Sequence, residues 1–455
     1  MKPAAKFTQG SIAKHLLLMT ASGTTGLMVL FLSDLVDMYF LGLLGEVEIA
    51  AAVGFSGSIL FFTVSFNIGL SIACSALVSK AIGSGDHCAA KASVTYSWLS
   101  AVVVTLPVAI ILWFYIPTLL GLLGAEGRAL ELASEYMLII VPSMPLLALA
   151  MSAGGVMRAR GDAKNAMYLT MLGGIVNVIL DPIFIFVLDL GVQGAALATV
   201  ISRVLMVAFG VYIVAYKNNL LGAFVFSRYR EQVSSYMKVA VPAVLTNLST
   251  PIGLAYVTYV MAQFGDSAVA GNAIISRVQP VAFAGLFALS SIVGPIAGQN
   301  FGAKKLNRVY ETLRESIRLL IIYCFIVCAL LFLMKPFLVA VFNASEEANE
   351  LIYLFCNGIS LMFVFNGLTF VTNALFNNLG VAHYATILNF FKATIGTVPF
   401  VAVGVYFGGA KGALWGLFAG SVISGCLGLL VAIWFLRKLE RKFGLAIGQT
   451  DSVDQ

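Results

Sequence analysis

The apolar residues of this chain gather into long runs separated by short polar or basic segments. Runs long enough to cross a hydrocarbon core of roughly 30 Å fall at about 14–41, 49–79, 92–118, 131–156, 165–188 and 193–216. A second set follows at about 235–262, 268–298, 312–340, 347–376, 384–407 and 411–436. The pattern predicts an all-α integral membrane protein of twelve transmembrane helices. The apolar stretch after the short basic segment Met1 to Lys14 is longer than a signal-peptide core and has no A-x-A site, so it reads as a retained first span.

The placement of Lys and Arg orients these spans, because cytoplasmic loops carry the excess. With the amino terminus inside, the inner segments hold Lys2, Lys6, Lys14, Lys80, Lys91, Arg158, Arg160, Lys164, Lys217, Arg228, Arg230 and Lys238. They also hold Lys304, Lys305, Arg308, Arg314, Arg318, Arg437, Lys438, Arg441 and Lys442, making 21 of the 27 basic residues. Both termini are expected to be cytoplasmic. The chain also repeats itself at a period near 219 residues: LVSKAIGSGDHCAA from Leu77 resembles IAGQNFGAKKLNRV from Ile296, and GVQGAALA from Gly191 resembles GAKGALWG from Gly409. Six spans per repeat give both halves one orientation, hence two pseudo-symmetric six-helix bundles related about the membrane normal. The expected division is 1–217 for the first bundle, 218–233 for a cytoplasmic linker containing SRYREQVSS, 234–437 for the second bundle and 438–455 for a cytoplasmic tail.

Composition agrees with lipid as the solvent: 60% of residues are hydrophobic and 11% charged, against roughly 25% charged in soluble domains. The net charge of +6 is scattered between apolar runs and forms no nucleic-acid-reading module. The six cysteines (Cys74, Cys88, Cys324, Cys328, Cys356, Cys426) lie mostly inside apolar runs without zinc or redox spacing and are read as inert buried thiols. His15, His87 and His383 are too scattered for a metal site. The chain has no H-E-x-x-H, nucleophile elbow or G-x-x-x-x-G-K-[ST] motif, which argues against an integral-membrane enzyme and a nucleotide-driven pump. No cofactor is expected.

Ionisable residues inside a membrane are costly and mark functional candidates. They are Asp34 and Asp37 in span 1, Asp181 in span 5, Arg203 in span 6, Arg277 in span 8 and Lys392 in span 11. Counting inward from the outer ends at about 1.5 Å per residue places Asp37, Asp181, Thr199 and Tyr136 roughly 7 to 11 Å deep, in one layer. Asn177 lies one helical turn before Asp181 on the same face, and Asp34 shares a face with Asp37. Carboxylates, an amide carbonyl and hydroxyls at one depth suit a cation. A carboxyl withdrawn from water and set beside another holds a proton more readily, so the expected coupling ion is H+. Na+ on Asp37, Asn177, Asp181 and Thr199 is the alternative. The plainer reading of the aspartates is span-end residues bathed in water.

Arg203 lies one turn beyond Thr199, where a salt bridge with Asp181 or Asp34 and contact with substrate are both open. At the repeat offset, Val257 stands in place of Asp37 and Phe400 in place of Asp181, so ion chemistry is expected in the first half alone. The second half offers Arg277, Gln279, Asn366, Asn373 and Lys392 as candidates to line a substrate cavity, with packing the commoner role for each. The 33 Phe, 16 Tyr and 15 Met suit an adaptable cavity for apolar cations or amphiphiles, although most such side chains face lipid or core.

At VDMYFLGLLG from Val36, GVMRARGDAKNAM from Gly155, NVILDP from Asn177 and GVQGAALATV from Gly191, the chain resembles the multidrug and toxic compound extrusion (MATE) family, in particular its prokaryotic branch of DNA-damage-inducible-F type. With the repeat, the resemblance covers nearly the whole chain. It implies two six-helix bundles forming a V-shaped cavity and cation-coupled antiport of drugs or toxic metabolites by alternating access. It further implies that Asp37, Asp181, Asn177 and Thr199 form the cation site of the first bundle, with Tyr136 beside them. The chain departs from the family in having MTASGTTG from Met19 where a proline is common, Gly154 where a polar residue is frequent, and Asp34 as an addition.

The expected function is a secondary multidrug exporter of the bacterial inner membrane. It would act as a monomer with small-molecule drugs or toxic metabolites and the lipid bilayer as partners, and with no nucleic acid. A lipid-linked oligosaccharide flippase of the same superfamily is the alternative within transport; it calls for a basic cavity and often for extra spans.

Overall fold

The computed structural model describes residues 5–44, 47–342 and 345–450. Lys2 and residues 451–455 of the expected tail therefore lie outside the described residues. Among those described there are no strands. In lipid an apolar backbone segment must satisfy its own N–H and C=O groups, and a helix does so within one segment.

Contacts divide the described residues into two compact units, one of Leu18–Pro251 with Ala5 and Lys6, the other of Phe7–Leu17 with the chain from Ile252 onward. The first unit contains α1 (Ile12–Gly42) from Leu18, α2 (Val47–Gly83), α3 (His87–Leu122), α4 (Gly127–Ile140), α5 (Met144–Arg160), α6 (Ala163–Pro182), α7 (Gly191–Val211) and the first part of α8 (Phe226–Ala262). A 3-10 turn at Val141–Ser143 joins α4 and α5 into one long span, Gly127–Arg160. Pro182 closes α6, and because proline has no N–H to give the chain continues as a π-helical turn over Ile183–Val187. The inner turn between the fourth and fifth spans is built by Gly161 at φ 82 and by Asp162, whose side chain accepts from the Asn165 N–H and caps α6.

The second unit contains the rest of α8, α9 (Asp266–Ala282), α10 (Ala284–Gly302), α11 (Leu306–Phe342), α12 (Glu346–Asn357), α13 (Met362–Asn378), α14 (Ala382–Ala393) and α15 (Val398–Thr450). Among the described residues ten helical stretches are long and apolar enough to cross a membrane, and α9 with α10, bent by 50° where they meet, make another. The last of the ten, Ala382–Lys442, has 61 residues. A straight helix of that length would be about 90 Å, three membrane thicknesses.

It is instead a hairpin, broken at Gly408 (φ −146) and Gly409 (φ 58, ψ −138). A Cβ on Gly412 would strike the Gly404 carbonyl, one on Gly416 the Phe400 carbonyl and one on Gly420 the Gly396 carbonyl. Each pair is centred on residue 408, as in two antiparallel helices in backbone contact, and only glycine leaves room for that approach. Twelve spans result.

Two features differ from the sequence expectation. The stretch read as linker is helical from Phe226, and Thr95, Tyr96 and Lys91 at the inner end of α3 hold the turn before it: Tyr96 Oη meets the Val225 N–H and carbonyl at 3.0 and 2.9 Å, Thr95 Oγ1 meets Gly222, and Lys91 donates to Asn219. The residues Phe7–Leu17 pack with the second unit. Phe7, fully buried, donates its N–H to Gln299 Oε1 (3.0 Å) and accepts from Arg308 (2.9 Å), while Thr8 accepts from Lys305 (3.0 Å). Basic residues read only as topological markers thus also anchor the beginning of the chain. Cys88 and Cys426 are exposed; Cys74, Cys324, Cys328 and Cys356 are the buried thiols expected.

Candidate functional site

At the end of the first unit where α1 stops and α4 begins, Leu41, Ile49, Ile116, Leu120, Leu132, Met137, Ile140, Ile185 and Val192 form a buried apolar core that includes Tyr136. The polar cluster is held against this core by α1, α6 and α7. α1 can approach α6 closely because of Gly174, where a Cβ would lie 3.2 Å from the Val29 carbonyl and 3.3 Å from Ser33 Cβ.

The Ser33 hydroxyl lies 3.0 Å from the Gly174 carbonyl and 3.2 Å from Asn177 Oδ1. With its oxygen accepting there, the Asn177 amide points its Nδ2 at Asp181 Oδ1 (3.1 Å) and towards Thr199 Oγ1 (3.5 Å). Thr199 in turn donates to the Ala195 carbonyl at 3.1 Å. Asp181 is 0% exposed.

Asp37 is half-buried and its carboxyl comes within hydrogen-bonding range of the Asp181 carboxyl. Asp37 Oδ1 and Asp181 Oδ2 are nonetheless buried with no donor. Two neighbouring carboxyl groups can share a proton or ligate a small cation, either of which would satisfy such oxygens. Among the described residues no group of three His, Cys, Asp or Glu is arranged to hold a metal.

The MatE family model matches residues 25–183 and 242–403, well over half of the chain and including every member of this cluster except Thr199. The chain belongs to the MatE family. It is 27% identical over 424 residues to the FAD transporter of Shewanella oneidensis, covering 92% of this chain and 93% of that protein. It is 23% identical over 438 residues to the multidrug export protein MepA of Staphylococcus aureus, covering 95% of each. A crystal structure of a mutant of the Vibrio cholerae MATE transporter VcmN superposes with a TM-score of 0.88 at 26% identity, covering 94% of this chain and 97% of that one. This MatE chain is accordingly a multi-pass integral membrane transporter and not an enzyme.

In the MatE chain the six residues expected at the cation site do not stand on equal terms. Asp37, Asp181, Asn177 and Thr199 converge as described. Tyr136, 7% exposed, lies within electrostatic range of Asp37, Arg203, Asp181 and Asp34. Asp34 sits on the exposed side of α1, coupled to Asp37 through its charge alone. Arg203 donates to Ser143 Oγ at 2.7 Å and to the Ile140 carbonyl at 3.4 Å, closing the 3-10 turn between α4 and α5. That turn, and neither aspartate, is its partner.

Ser33 is the member that sequence reasoning missed. Its only signal was its place one residue before Asp34, four before Asp37, in a helix that also carries Ser22, Thr24 and Thr25. The cavity candidates of the other half belong to the second unit: Arg277 is exposed, Gln279 half-buried, and Asn373 buried with Oδ1 lacking a donor.

Proposed function

We propose that this MatE chain is a secondary active exporter of amphiphilic small molecules, in the manner of a multidrug transporter. It would be driven by inward movement of H+ through the Asp37–Asp181 pair, with Na+ as the alternative ion. The observation that carries this reading is the meeting of two carboxyl groups from separate helices within hydrogen-bonding range, Asp181 being 0% exposed. A proton there satisfies both oxygens. Its loss leaves an unsatisfied pair that the surrounding helices relieve only by moving or by admitting water.

Asn177 transmits the change. Its amide is fixed by Ser33 on α1 and reads Asp181 on α6 and Thr199 on α7, so occupation of the pair is felt by three helices. Alternating access then follows if one arrangement of those helices opens the transport path inward and the other outward. An ion falling through the membrane potential releases about 2.3 kcal/mol per 100 mV, which is enough for concentrative export.

The relatives are named a multidrug exporter and an FAD transporter; FAD carries a flat aromatic ring system on a polar frame, and we take amphiphilic aromatic small molecules as the substrate class. Placement in the bacterial inner membrane with both termini cytoplasmic, and action as a monomer, complete the proposal. The test is substrate efflux from proteoliposomes with pH and sodium gradients imposed one at a time. A pH gradient alone should drive export, and Asp37→Asn should abolish it without loss of folded protein. Undiminished export by that variant would sink the coupling mechanism.

A further inference from the structure

Lys392 is a cation in the wrong solvent. It occupies the last turn of α14, about 15 Å from the inner end of its span, and the chain breaks into a turn over residues 394–397 before α15 resumes. None of the ion pairs among the described residues includes it. Its Nζ donates to Asn366 Oδ1 on α13 at 2.7 Å and stands 5.9 Å from the centre of the Phe370 ring.

The C-terminal end of a helix favours a cation, and one amide oxygen and one ring face add to that. They leave two of the three ammonium donors and the whole net charge without an anion. A half-buried charge held this way at a broken span is the pattern of a substrate contact rather than of a structural bridge.

The surroundings say what the substrate carries. Phe370 pairs with Phe287 at 5.5 Å between ring centres, tilted by 36°, and Phe287 is 37% exposed, so an aromatic wall adjoins the ammonium group. Two turns along α13 from Asn366, on the same face, Asn373 is 8% exposed and has Oδ1 without a donor.

We propose that Lys392, Asn366 and the Phe287–Phe370 pair form a subsite in the second unit for the anionic group of a substrate that also bears a planar ring, with Asn373 accepting a hydrogen bond from its polar edge. This rests on the exporter reading and narrows its substrate class to aromatic anions and zwitterions. The ammonium group, half-buried and already oriented by Asn366, replaces water around a phosphate or carboxylate; the phenyl faces take the ring.

Riboflavin and riboflavin 5′-phosphate test this directly, since they share one ring system and differ by a phosphate. Equilibrium binding of each to the full chain in lipid nanodiscs, read from flavin fluorescence, should favour the phosphate by at least about tenfold. Lys392→Gln should erase that preference while leaving riboflavin affinity in place, Lys392→Arg should retain it, and Phe287→Ala should weaken both flavins together. Equal affinities in the native chain, or a preference that survives Lys392→Gln, would overturn the subsite. Asp37→Asn separates this from the coupling mechanism: it should stop gradient-driven export yet leave the binding ratio unchanged.

Discussion

Asn177 is oriented at both ends of its amide: Asp181 takes a hydrogen from its nitrogen, and its oxygen lies 3.2 Å from the Ser33 hydroxyl, whose one hydrogen is shared with the Gly174 carbonyl. A neutral hydrogen bond is worth about 1 kcal/mol net, so Ser33→Ala should cost little stability. It should still lower ion-driven export several-fold by letting the amide flip away from Asp181. Asp34→Asn, altering an exposed carboxyl outside the hydrogen-bonded chain, should reduce export far less than Asp37→Asn. Side-by-side efflux assays of the three variants check both statements, and equal loss from Asp34 and Asp37 would show that the outer face of α1 also belongs to the ion path. Both aspartates were visible in the sequence as intramembrane charges. Which of them meets Asp181 was not, because a spacing of three residues places both on one side of α1 and only the neighbouring helices separate their surroundings.

At the scale of elements, the hairpin that ends the second unit rests on backbone meeting backbone. The carbonyls of Gly396, Phe400 and Gly404 occupy the space a side chain on the opposing helix would need, and backbone cannot rotate aside as a side chain can. Gly416→Val should therefore destabilise the protein by 3 kcal/mol or more, the upper end of the roughly 1–3 kcal/mol typical of overpacking. Gly57→Ala, on an exposed helical position with nothing within 4 Å, should be neutral or stabilising. Thermal unfolding in detergent followed by fluorescence compares the two. The repeat motif GAKGALWG marked the second helix of this hairpin in the sequence, but the glycine partners at 396 and 404 lie in a different run, and matching them required the fold. The linker tells the opposite story: its place between the two sets of apolar runs suggested only a connection, whereas Tyr96, Tyr229 and Phe224 pack together within 6.3 Å and the chain is helical there from Phe226.

For the whole molecule, the expectation from charge placement is that residues 84 and 126 face opposite sides of the membrane. Single cysteines at Ser84 and Glu126, in a chain otherwise freed of cysteine, should react with an impermeant thiol reagent only from the inside and only from the outside of the cell, respectively. Reaction of both from one side would refute the assigned orientation. The anchoring of Phe7–Leu17 by Gln299, Asn300, Lys305 and Arg308 adds a structural reason for basic residues that the charge rule had already placed inside. Arg308 Nη2 reaches the carbonyls of Phe7 and Gly10 at 2.9 Å each while its Nε donates to Asn300 Oδ1 at 3.0 Å, a use of its fork that Lys would not reproduce.

Hydrophobic run length and the distribution of Lys and Arg were enough, without any structure, to determine a helical membrane protein of twelve spans, its expected orientation and the few ionisable residues worth suspecting. Those properties follow from the bilayer, whose thickness and dryness act on each segment separately. Partnership was decided only by tertiary structure: Arg203 went to the turn at Ser143 instead of to an aspartate, Ser33 entered the cluster, and Lys392 has no ion-pair partner among the described residues. A side chain's partner depends on which faces of which helices touch, and close packing of glycines, carbonyls and hydroxyls across separate runs settles that.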